Sequence, residues 1–188
     1  VSNWQFVDLR QDLVGGDVLR TNATGQLAIL FSDRTQIRMG RNATLVVKQV
    51  TSGSGADTVL ELQAGTIWAR AERGGPGVEV QTPAAAAAIR GTDWTMTVEG
   101  SRTSLSVLEG EVRLSNPQGS VDVREGEGAV ASIGQAPQKV VIVDSDDREQ
   151  MLFYLPAREA FRRMPASNQP VAQMRRQADR IVAKPAGE

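Results

Sequence analysis

Pro83-Ala84-Ala85-Ala86-Ala87-Ala88-Ile89-Arg90-Gly91-Thr92-Asp93-Trp94 is the stretch on which the fold class turns. Alanine has the highest helix propensity, so a run of it argues first for a helix. Against this, Pro83 pushes Thr82 out of the right-handed helical region, and Gly91 follows so soon that a helix would have only about two turns, marginal by itself. The stretch therefore reads as a tightly packed strand or short crossing segment where small side chains permit close approach. A single helical turn is the alternative.

Its second half has two readings. In the functional one, Arg90 and Asp93 present a fixed charge pair and Trp94, with Trp68, an aromatic binding face, while Gly91 and Thr92 shape the loop between them. In the structural one, Gly91 supplies an unusual backbone angle, Arg90 bonds internally and Trp94 fills core. The chemistry favours the structural reading.

Outward from this stretch, residues 13–143 are short apolar-alternating runs broken by Gly, Asn, Asp, Ser and Pro every eight to thirteen residues or so, the spacing of a sandwich or barrel. Gln26 to Phe31 and Thr35 to Met39 flank the polar turn Ser32-Asp33-Arg34 and read as a hairpin. Thr44 to Val50 is a further strand. Val59 to Leu62 and Thr66 to Ala71 are expected as two strands around Gln63-Ala64-Gly65. Leu62-x-x-Gly65-x-Ile67-x-Ala69 is echoed by Val107-x-x-Gly110-x-Val112-x-Leu114, and a Val-acid-Val strand follows each copy. Two copies suggest a symmetric sandwich or roll rather than a long solenoid.

Past Val143 the text changes. Ser145-Asp146-Asp147 resembles a helix N-terminus, and Met151, Leu152 and Leu155 form an apolar face before Pro156. A second helix is expected from about Asn168 through Val171, Met174, Ala178 and Ile181 to near Pro185. The expected organisation is a β domain over 1–144 and a helical extension over 145–188. Charge agrees with that division, since residues 1–145 balance to −3 and 146–184 to +3.

Composition removes most enzyme classes. The chain has no cysteine and no histidine, which excludes disulfide scaffolds, Cys/His zinc sites and every triad built on His or Cys. No cofactor or metal is implied, and no enzyme activity is expected. A net charge of −1 gives no global pull toward nucleic acid, and Arg162-Arg163 and Arg175-Arg176 read as a solvated basic face. No membrane span or signal peptide is legible. Asn22-Ala23-Thr24 and Asn42-Ala43-Thr44 match the glycosylation pattern, yet both fall where a polar turn is wanted. Trp4, Trp68 and Trp94 together would make a glycan-stacking platform if exposed.

The blocks Gly16 to Ala28, Phe31 to Gly40, Leu62 to Trp68, Val80 to Pro83, Ala88 to Trp94 and Val107 to Val112, in that order and spacing, resemble the FecR domain family over roughly residues 13–132. The resemblance implies a jelly-roll-like antiparallel β-sandwich in the bacterial periplasm or on the cell surface. It further implies a signal-relay or interaction module with an envelope protein partner, such as an outer-membrane receptor. In the best-known members the domain is the sensory part of an iron-uptake regulator, joined to an anti-sigma segment and a membrane helix that this chain does not show. An open sheet edge and the helical tail are the expected contact elements. A glycan-binding envelope module is the alternative.

Overall fold

The alternation read in the sequence becomes strands in the computed structural model, which describes residues 4–8, 11–31, 34–50, 58–71, 74, 77–141 and 172–175. In chain order the strands are β1 (Gln5–Phe6), β2 (Val18–Thr21), β3 (Leu27–Leu30), β4 (Gln36–Met39), β5 (Thr44–Gln49), β6 (Thr58–Arg70), β7 (Val78–Gln81) and β8 (Ala86–Ile89). There follow β9 (Asp93–Glu99), β10 (Arg102–Glu109), β11 (Glu111–Asn116), β12 (Gly119–Arg124), β13 (Glu127–Ser132), β14 (Gln138–Val141) and β15 (Ala172–Arg175). Every described element is β, and among the described residues no helix is long and apolar enough to cross a membrane.

Two sheets share β6. One runs β1-β15-β2-β5-β6-β7-β8-β11-β12, and the other adds β3, β4, β9, β10, β13 and β14 around the second half of β6. All pairings are antiparallel except β6 with β7, which is parallel. The inner faces meet in one core. On the first sheet, Leu60, Val80, Ala87 and Leu114 stand in one cross-strand row, as do Val78, Ile89 and Val112; on the second, Met39, Ile67, Met96 and Leu105 do the same, all buried. Such rows of directly opposed apolar side chains are what lock a sheet's register.

The alanine run is a strand. Ala86–Ile89 is held between β7 and β11, so its backbone polar groups enter two ladders and Ala87 fits under Val80 and Leu114. Tertiary pairing has overridden alanine's local preference. Before it, the Thr82 hydroxyl donates to the Ala85 carbonyl at 2.8 Å and accepts from the Ala85 amide at 3.0 Å, closing the turn at Pro83.

Two expectations need correction. Gln63-Ala64-Gly65 is not a turn between two strands but the interior of the 13-residue β6. Gly65 has φ +84° and marks where β6 leaves β5 and joins β9, with a register irregularity between Thr44 and Leu45 on β5. Its echo Gly110, at φ +90°, carries the chain back the other way, from β10 in the second sheet to β11 in the first. The repeat in the sequence is thus a repeated corner. The helix expected from about Asn168 to Pro185 is contradicted at its described residues, because Ala172–Arg175 form β15, paired with both β1 and β2. Their backbone groups are satisfied by two neighbouring strands, which outweighs a helical apolar period. The helix expected from Ser145 to Pro156 lies outside the described residues.

Around the start of the first sheet, Thr21 is 3% exposed; its hydroxyl donates to the Gly40 carbonyl at 2.6 Å and accepts from the Ala43 amide at 2.9 Å. This one side chain ties β2 to the β4–β5 turn. Thr21→Val keeps the volume but leaves a buried amide and carbonyl unpaired, so we expect a loss of about 1–3 kcal/mol. Urea unfolding followed by circular dichroism checks it, and a change below about 0.5 kcal/mol would contradict it.

Candidate functional site

The Ala88 to Trp94 motif is spent mainly on the fold. Gly91 has φ +60°, a backbone angle that L side chains rarely adopt. Thr92 is 2% exposed, and its carbonyl accepts from the Ala71 amide at 3.0 Å. A Cβ on Gly110 would lie 2.5 Å from Thr92 Cγ2, so the second corner is packed directly onto this motif. Trp94 is 1% exposed, set between Ala69 of β6 and Val107 of β10. Its ring presents no binding face. Arg90, just after β8, is exposed.

Asp93 and Trp68 belong to the opposite face of the second sheet, away from the core row of Trp94 and Ala69. Asp93 stands opposite Arg70 and Glu109, and its Oδ1 lies 3.5 Å from Arg70 Nε. Trp68 is 9% exposed and lies over Gly40, where a Cβ would meet the ring at 2.9 Å. With Trp94 in the core and Trp68 largely covered on the other face, the three tryptophans form no common platform.

Burial raises the Asp93 carboxyl above its ordinary value, Arg70 opposes the shift and Glu109 adds to it. Asp122 moves the other way, because Arg113 donates to it at 2.7 Å. For Asp93 the folded protein holds the proton more tightly than the unfolded chain, so its charged form detracts from stability at neutral pH and that cost lifts as pH falls through the folded value. For Asp122 the stabilisation is present above the unfolded value and is lost as pH falls through the folded one. Side-chain carboxyl NMR titration should place the Asp93 midpoint above the usual aspartate range and the Asp122 midpoint below it; the reverse order would contradict the geometry.

The surfaces open to a partner are the sheet edges. Among the described residues β1, β3, β12 and β14 each pair on one side only, and β1 is just two residues long. β12 carries Asp122 and Arg124, and β14 carries Lys139, charges of the kind that discourage strand addition. β3 differs. It reads Leu27-Ala28-Ile29-Leu30, with no charge and no proline, and Leu30 is 47% exposed while Ile29 anchors it in the core. An open edge was expected from the sequence, but these four residues were not singled out. Their lack of any charge was the available signal, and it gains meaning only once β3 is known to be an edge.

The chain is thus an all-β domain whose most distinctive motif supports a corner between its two sheets. The chain belongs to the FecR family: the model described as FecR protein matches residues 17–113. Two crystal structures of a "putative anti-sigma factor" from Parabacteroides distasonis share the fold. The first has a TM-score of 0.61 at 14% identity, covering 71% of this chain and 64% of that one. The second has a TM-score of 0.60 at 15% identity, covering 72% and 63%. The chain thus spans somewhat under two thirds of those structures. No protein with a curated description matches it.

Proposed function

We propose that this chain is a non-catalytic FecR-like module of the bacterial cell envelope, periplasmic or at the cell surface, that binds a protein partner and relays or anchors through it. We read its two sheets, joined through the Gly65 and Gly110 corners, as jelly-roll-like. The observation that carries the binding role is the β3 edge, which pairs on one side only among the described residues and whose uncharged side chains suit an added partner strand. Main-chain hydrogen bonds would supply affinity, and Ala28 and Leu30, on the side away from the core, would supply selectivity. The envelope location rests on the family resemblance. An outer-membrane receptor as partner, and a role as the sensory part of a sigma-factor regulator, are specific forms of this reading.

A photo-crosslinking residue at Ala28, in cells, tests it. The expected result is a discrete protein adduct in the envelope fraction, several-fold stronger than from the same group at Arg113. An equal yield at both positions would overturn the edge as the contact, and an adduct confined to the cytoplasm would overturn the location. Identifying the adduct separates receptor from other partners.

A further inference from the structure

β15 occupies an unusual place. It lies between β1 and β2 and pairs with both, in the registers Gln5 to Met174 and Leu19 to Met174. β1 pairs with no other described strand. The first sheet therefore ends in a slot one strand wide, with a hydrogen-bonding rim on each side. The rims are also tied to one another, since the Arg20 guanidinium of β2 sits 4.4 Å from the ring centroid of Trp4, just before β1.

The strand that fills this slot comes from far away. It follows β14 by about thirty residues, and β14 lies beside β12. In strand order β12 is seven positions from β15, roughly 34 Å along the sheet at about 4.8 Å per strand. A connection of that length spans at most about 100 Å, enough to reach a neighbouring molecule's slot as well as its own. The occupant is also poorly suited to stay. Ala172-Gln173-Met174-Arg175 consists of good helix formers with low strand preference, so the strand state is imposed by the slot rather than by the segment.

From these observations we propose that the slot between β1 and β2 is a strand-exchange site and that its second occupant is Ala172–Arg175 of another copy of this chain. Donor origin and acceptor slot are then seven strands apart in the sheet order, and reciprocal exchange between two copies would fill both slots. This proposal is independent of the partner site at β3.

The absence of native cysteine makes the test clean. Arg20 and Gln173 are directly opposed, at a Cα spacing within disulfide range for antiparallel partners. Arg20→Cys and Gln173→Cys are made as separate proteins, mixed in equal amounts and oxidised at rising concentration. The expected result is a heterodimer linked between the two variants, in several-fold excess over symmetrical disulfides, its share growing with concentration. Val18→Cys with Arg175→Cys, the next pair on the same register, guards against a failure caused by losing the Arg20 stack. If neither mixture links while the double variants close internally as monomers, the strand is held only in cis and the proposal falls. If the double variants do not close either, the segment does not occupy the slot and the proposal falls equally.

Discussion

Trp94→Ala is expected to destabilise the protein by about 3–5 kcal/mol, a large share of the 5–15 kcal/mol that holds a typical domain together. The indole is 1% exposed and flanked on its inner-face row by Ala69 and Val107. Neither neighbour can grow into the space, so truncation leaves a cavity as well as losing apolar burial. Trp94→Phe restores most of the volume and should recover more than half of the loss. The indole Nε1 makes no hydrogen bond among the described residues, so little polar energy is forfeited in that exchange. Urea unfolding by far-ultraviolet circular dichroism measures both. A loss below about 1 kcal/mol for Trp94→Ala would mean that the ring is not core, and with it the structural role of the motif would fail.

Gly65→Ala should cost nearly as much, about 3 kcal/mol or more, from a single methyl group. A side chain at φ +84° carries a penalty of about 1–2 kcal/mol. The added Cβ would also sit 2.5 Å from Ala43 Cα and 2.7 Å from Ala43 Cβ. Ala43 is fully buried, and its amide and carbonyl are both engaged with Thr21, so that backbone cannot retreat without breaking those bonds. Relieving such an overlap adds about 1–3 kcal/mol. Gly126→Ala provides the control: its φ is +77°, yet a Cβ there meets nothing within 4 Å, and only the conformational penalty of about 1–2 kcal/mol is expected. Chemical denaturation of the two variants side by side should place Gly65→Ala well below Gly126→Ala. Equal losses would show that β6 does not turn its corner against Ala43.

Much of the architecture was legible because alternation is a direct consequence of burying one face of a strand. Leu27 to Leu30, Gln36 to Met39 and Thr44 to Gln49 all follow it. The paired glycines were legible as a repeat but not as corners. A left-handed glycine beside polar residues reads locally as a hairpin turn, and only the pairing of one continuous strand with two sheets shows that Gly65 bends rather than ends it. The Met174 region failed for a similar reason: a 3.6-residue period is a local signal, and two flanking strands are not local. The Ala88 to Trp94 motif marked the family plainly. Which of its side chains face the core was decided by register, sending Trp94 inward, Asp93 to the opposite face and Arg90 to solvent. The β3 edge could not be found from sequence, since being an edge is a property of topology.

In the proposed function the family motif serves the fold while partner recognition lies at the β3 edge. Two substitutions that should each change stability by no more than about 0.5 kcal/mol separate these roles: Leu30→Lys, which puts a charge on the edge, and Arg90→Ala, which alters the exposed end of the motif. The measurement is the yield of the envelope-protein adduct formed by the Ala28 crosslinker in each background, normalised to folded protein. The account predicts at least a tenfold loss with Leu30→Lys and a change within twofold for Arg90→Ala. An undiminished adduct with Leu30→Lys, together with a loss for Arg90→Ala, would return the binding role to the motif and contradict it.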